Sequence, residues 1–184
     1  MPGVRLFALT AAALCALVVG PSVAPAAARP ACANATLVPT NSNHAQIRTA
    51  ILCLLNQERH RRHLARLHSN PTLGAAARSY ARKLVRDQFF DHTSPDGTTM
   101  LDRILQTSYV KIAPRQWWVG ENIGYETHGA DTASRIVGAW MNSAGHRENI
   151  LRPHYRDIGL GAASGTPIGR PGTTYVTDFG RRIR

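Results

Sequence analysis

The chain has 184 residues, 43% of them apolar and 18% charged, and its 22 Lys+Arg against 11 Asp+Glu give a formal net charge of +11. Such a length suits one domain plus a targeting segment. The composition excludes wholesale disorder, and three Cys exclude a disulfide-dense miniprotein. All the cations but Lys83 and Lys111 are Arg, an excess that points to an anionic partner such as nucleic acid, a membrane surface or a wall polymer and carries no information on fold.

Met1 to Arg5 holds one cation, Leu6 to Gly20 is an apolar run ended by Pro21, and Ala26-Ala27-Ala28 offers a cleavage site. That order predicts a secretory signal peptide over 1–28, with an uncleaved anchor as the alternative; the run is short for a transmembrane helix. Cys15 and Cys32 lack the surroundings of a lipid-acceptor site. Cleavage removes Arg5 and Cys15 and leaves Cys32 and Cys53, an even pair that reads as one disulfide in an oxidising compartment. The alternative is two free thiols, with Cys53 filling an apolar helix face.

Residues 29–46 read as a leader with Pro30 and Pro39. Ile47, Ile51, Leu54 and Leu55 then predict a helix from about Asn41 to His63. Its Arg59–Arg62 end is either an anion-binding patch or a solvated helix end that complements the macrodipole. Ser69-Asn70-Pro71 starts a second helix whose stripe is Leu73, Ala76, Ala77, Tyr80, Ala81, Leu84 and Val85. After a polar loop from Asp91 to Gly97, Thr98 or Thr99 caps a third helix to about Thr107, with Met100, Leu101, Ile104 and Leu105 buried. Gln116 to Tyr125 is a strand or extended connector. A fourth helix begins at Asp131 or Thr132, and Ser143 caps a short fifth helix containing His146. Ile158–Ala162 and Thr173–Phe179 form a hairpin. Helices first and strands last, with no repeating βαβ unit, predict an α+β fold with a small antiparallel sheet.

No Gly-x-Ser-x-Gly elbow, phosphate loop, Cys-x-x-Cys pair or His-Glu-x-x-His helix is present. Three polar stretches remain: Asp91-His92-Thr93-Ser94, Gly120-Glu121-Asn122-Ile123, and Asn142 to Leu151. Two imidazoles and a carboxylate converging in a cleft would bind a divalent metal, or would form a hydrogen-bonded cluster that holds the fold together.

Four blocks carry a family resemblance: Leu55-Asn56-Gln57-Glu58-Arg59, His92-Thr93-Ser94-Pro95, Gly120-Glu121-Asn122-Ile123, and Trp140 to Arg147 through Ile150-Leu151. Together, in this order, they resemble the CAP superfamily (cysteine-rich secretory, antigen-five and pathogenesis-related proteins) in its bacterial SCP-like form. The resemblance implies an α-β-α sandwich over 47–180, with a three-stranded antiparallel sheet between helical layers, followed by a basic tail at 181–184. It implies a cleft lined by His92, Glu121 and His146, with Ser143 where animal and plant members carry a second Glu. A metal site would then rest on His92, His146 and Glu121 with water, for a zinc or magnesium ion; no cofactor is required. The first functional reading is a secreted, extracellular, non-enzymatic binder of a small apolar or lipid ligand or a wall component, with no specific nucleic acid partner and no transmembrane segment after signal cleavage. The second is a metal-assisted hydrolase in the same cleft. The third is a cationic binder of anionic surface polymers through Arg59, Arg61, Arg62 and Arg66.

Overall fold

Asn70 shows how local sequence sets an element: its side chain accepts from the backbone of Thr72 and Leu73, and Pro71 follows at the first helical position. A computed structural model describes residues 31–110 and 116–183 of the chain; the signal-peptide segment lies outside them. The elements in chain order are α1 (His44–His60), β1 (His68–Ser69), α2 (Pro71–Arg86), α3 (Met100–Leu105), β2 (Gln116–Thr127), α4 (Ala133–Asn142), α5 (Ala144–Leu151), β3 (Asp157–Ser164) and β4 (Gly172–Ile183). No helix among the described residues is long and apolar enough to cross a membrane.

The strands form one sheet in the order β1-β3-β4-β2. β4 runs antiparallel to both β3 and β2, as expected, but the sheet has a fourth member. The two-residue β1 pairs in parallel with the start of β3, through His68 opposite Asp157 and Ser69 opposite Ile158. A pair that short gives no periodicity to read in the sequence. The expected basic tail is also strand: Arg181 and Arg182 sit opposite Trp118 and Trp117.

The sheet separates two layers of helix. On one face, Leu160, Ala162, Tyr175 and Phe179 pack with Ile47, Ile51 and Leu55 of α1 and Ile136 and Trp140 of α4. On the other, Ile123, Ala163 and Val176 pack with Ala77, Tyr80, Ala81 and Leu84 of α2. Helix α2 lies close because Gly159 and Gly161 face it. A Cβ on Gly159 would stand 2.1 Å from the Leu73 backbone, and one on Gly161 2.2 Å from the Ala77 carbonyl oxygen. α3 differs from expectation: Ile104 is buried, but Leu101 and Leu105 are 40% and 45% exposed. Six residues present one inward stripe, and Arg103 shares it with Ile104.

Cys32 and Cys53 are disulfide-bonded, tying the N-terminal segment to α1; closing such a loop stabilises a fold by about 3 kcal/mol. Arg59 of α1 is fully buried and donates to the carbonyls of Ala65, Ile150, Arg152 and Tyr155. It therefore does not belong to a cationic surface patch. It is a strut joining α1 to the end of α5.

Candidate functional site

β2 is an edge strand, and side chains from the α4–α5 region cover its open carbonyls. Tyr155 Oη donates to the Val119 carbonyl at 2.9 Å, Asn149 Nδ2 to Glu121 at 3.1 Å, and Trp140 Nε1 to Ile123 at 3.1 Å. Gly120 and Gly124 leave the room these groups need. A Cβ at Gly120 would stand 2.3 Å from Tyr155 Oη, and one at Gly124 2.9 Å from Trp140 Nε1. The Gly-Glu-Asn-Ile-Gly block is thus an edge strand shaped for its cover, which also blocks pairing with another chain. Asn122 extends the clasp by donating to the His146 carbonyl at 3.0 Å.

Glu121 points to the opposite face, the one shared with Ile123 and α2. Its side chain is 2% exposed. Arg103 Nη2 donates to both of its oxygens, at 3.0 and 2.8 Å, and His92 Nδ1 lies 2.8 Å from Oε1. Arg103 is held in turn by the carbonyls of Thr98 and His92 and sits 3.2 Å over the centre of the Tyr80 ring. Tyr80 donates its hydroxyl to the Asp91 carbonyl. The loop that carries His92 is therefore fixed from α2 and α3 together.

Directly across the sheet from Glu121 stands Asp178 of β4, 3% exposed, with no hydrogen-bond partner for Oδ1 among the described residues. Burial first, and then the negative charge of Glu121, push the Asp178 carboxyl well above the usual carboxylate range. Two adjoining buried carboxyls cannot both ionise cheaply. Arg103 binds both oxygens of Glu121, so the proton belongs on Asp178. The hydrogen bond to Glu121 raises the pKa of His92, while burial and then the charge of His92 lower that of His146. His92 thus binds a proton more tightly than a free imidazole does, and His146 less tightly.

The structure brings His92 and Glu121 into direct contact. His146 lies within electrostatic range of His92, but among the described residues no hydrogen bond joins its ring, or the Ser143 hydroxyl, to either. Ser143 occupies the N-cap of α5 without making a side-chain capping bond. Among the described residues no three His, Cys, Asp or Glu side chains group as a metal site would need. The residues do not fit a zinc or magnesium ion: Glu121 already gives both oxygens to a guanidinium, which a dication would have to face, and burial favours the protonated form of Asp178. Sequence reasoning missed Arg103 and Asp178. Arg103 could have been found on the Met100–Ile104 stripe, whereas Asp178 leaves no alternation signal because β4 is buried on both faces along most of its length.

A sheet between two helical layers, with a buried acid on its edge strand and an imidazole bonded to it, defines an α-β-α sandwich. The chain belongs to the CAP family, described as the cysteine-rich secretory protein family, whose model matches residues 52–179. It is 38% identical over 110 residues to the uncharacterised protein YkwD of Bacillus subtilis, a match covering 59% of this chain and 39% of that protein. The chain thus spans about two fifths of that relative's length. An outer surface protein of Borrelia burgdorferi shares the fold with a TM-score of 0.61 at 23% identity, over 79% of this chain and 96% of that one. An extracellular SCP-domain protein of Bacillus anthracis matches with a TM-score of 0.62 at 25% identity, over 78% of this chain and 44% of its own.

Proposed function

We propose that this CAP-domain protein is secreted and acts outside the cell as a non-enzymatic binding protein for a small apolar or lipid ligand or a wall component. The observation that carries the reading is the engagement of Glu121. Its carboxylate is buried and holds Arg103 and His92, so it serves as a structural tie and is not a free base. The segments that carry His92 and Arg103 also expose apolar side chains: Phe90 is 46% exposed and packs edge-on to Tyr125 of β2, and Leu101 and Leu105 are exposed on α3. The signal-like N-terminus, the disulfide, and relatives described as extracellular or outer-surface proteins support the location.

A second reading, a hydrolase, draws on one feature. Glu121 holds Nδ1 of His92, which leaves Nε2 on a ring that is 52% exposed and able to accept a proton. Protein recovered from the medium of a secreting host decides between the two. Native mass spectrometry should find an apolar ligand bound, and a fluorescent fatty acid should bind the His92→Ala/His146→Ala variant as tightly as the unaltered protein. Hydrolytic turnover that the double variant abolishes would overturn the binding reading in favour of the enzyme.

A further inference from the structure

At the far end of the sheet from the hairpin loop, aromatic and cationic side chains share a row. Trp118 of β2 sits opposite Arg181 of β4. The Arg156 backbone donates to the Gly180 carbonyl at 3.0 Å, one step beyond the Asp157–Gly180 pair, which sets Arg156 level with Arg181. Asp157 turns toward Tyr109 on the α2 face, so by alternation Arg156, Arg181 and Trp118 take the opposite face, where Trp118 packs on the α1–α4 core. His154 is exposed and stacks flat on Trp118, with ring centres 4.9 Å apart and planes 10° apart. Beside it lies an open groove of about 370 Å³ lined by Glu148, Leu151, Arg152, Pro153 and His154.

Glu148 and Arg152, both on the groove wall with exposed side chains, pair with each other. Arg156 donates to the carbonyls of Pro153 and Tyr155, and neither it nor Arg181 has an acid partner among the described residues. Two guanidiniums without an acid partner thus share the sheet face of the Trp118 ring, and its stacking partner His154 also lines the groove. The open groove suits a passing polymer segment better than an enclosed small molecule.

We infer that this groove is a binding site for an anionic glycan, with a sugar ring on the His154–Trp118 stack and its acid groups on Arg181 and Arg156. Flat aromatic faces receive the C–H face of a sugar, and planar guanidiniums receive carboxylate or phosphate in two-pronged fashion. The inference rests on the extracellular setting proposed above but not on the cleft ligand, since His92 and Glu121 take no part.

Fluorescence anisotropy with a labelled oligogalacturonate tests it on the full secreted protein, with circular dichroism confirming that each variant folds. Arg181→Ala should weaken binding about tenfold, with affinity falling as salt rises. His154→Ala should weaken it about fivefold through loss of the stack. Arg181→Lys should recover part of the loss, while Arg61→Ala leaves affinity unchanged. Three results would overturn the site: no binding, an equal loss with Arg61→Ala, or equal affinity for a neutral oligosaccharide. Inorganic polyphosphate bound as tightly, with His154→Ala silent, would replace the glycan site by a plain polyanion surface.

Discussion

Three carboxylates among the described residues are each held by two cations, and two of them, Glu121 and Glu58, do different things. Glu121 holds Arg103 and His92 with its side chain 2% exposed, while Glu58 on α1 holds Arg61 and Arg62 with its side chain 20% exposed and its partners 56% and 42% exposed. The residue types match almost one for one. Around Glu58, water can replace either cation at little cost, and screening weakens the attraction. Around Glu121 water is largely absent, so each partner matters chiefly through the buried charge its loss would strand. A charge pair carries structural information only when its surroundings make it hard to replace.

Removing the buried cation should break this contrast most sharply. Arg103→Met keeps much of the apolar stem over Tyr80 but leaves Glu121 buried beside Asp178 with only His92 to oppose it. Denaturant unfolding should show a loss of about 3–5 kcal/mol. A loss no larger than that from an exposed arginine would mean that Glu121 is solvated. Next in size is the edge clasp. Gly120→Ala sets a methyl where Tyr155 reaches the Val119 carbonyl, and should cost about 1–3 kcal/mol by the same measurement.

The third test concerns the proton. Asp178 and His92 both bind protons more tightly folded than unfolded, so each stabilises at acid pH and loses its contribution as pH rises. For Asp178 the loss begins at the ordinary carboxylate value of 3.8 and continues up to its raised native value. For His92 it begins at 6.5. Asp178→Asn keeps the shape without the titration, so the variant should gain on the unaltered protein as pH rises from about 4, at up to about 1.4 kcal/mol per pH unit. Taking the difference between the two proteins cancels the exposed Asp87 and Asp96, whose lowered pKa values act in the opposite sense. Parallel stability curves would show that Asp178 carries no extra proton.

The parts of this contrast differ in how far the sequence betrays them. The stripe of α2 and its Asn70–Pro71 start, the Thr132 cap of α4 and the β3–β4 hairpin are local patterns, and local patterns survive folding. The pairing of His92 with Glu121 came from a family resemblance, because no spacing rule joins residues 29 apart. Arg103 and Arg59 stayed hidden for a shared reason. An arginine on a helix reads as solvated until a tertiary partner is known, and their partners lie on other segments. Asp178 was obscured because β4 is central and buried along most of its length on both faces, so its polar residues break the expected alternation.

The smallest effect completes the comparison from the exposed side. Glu58→Gln removes the charge that Arg61 and Arg62 share but keeps the shape of the side chain. Both cations stand largely in water, so the measured change should stay below about 1 kcal/mol and shrink as salt is added. Glu58 lies one residue from Arg59, whose buried guanidinium spans from α1 to the end of α5 through four carbonyls. A Glu58→Gln loss approaching that of Arg103→Met would therefore mean that the surface triad orients Arg59. Salt dependence separates the two cases, because a screened surface pair fades with ionic strength and a buried strut does not.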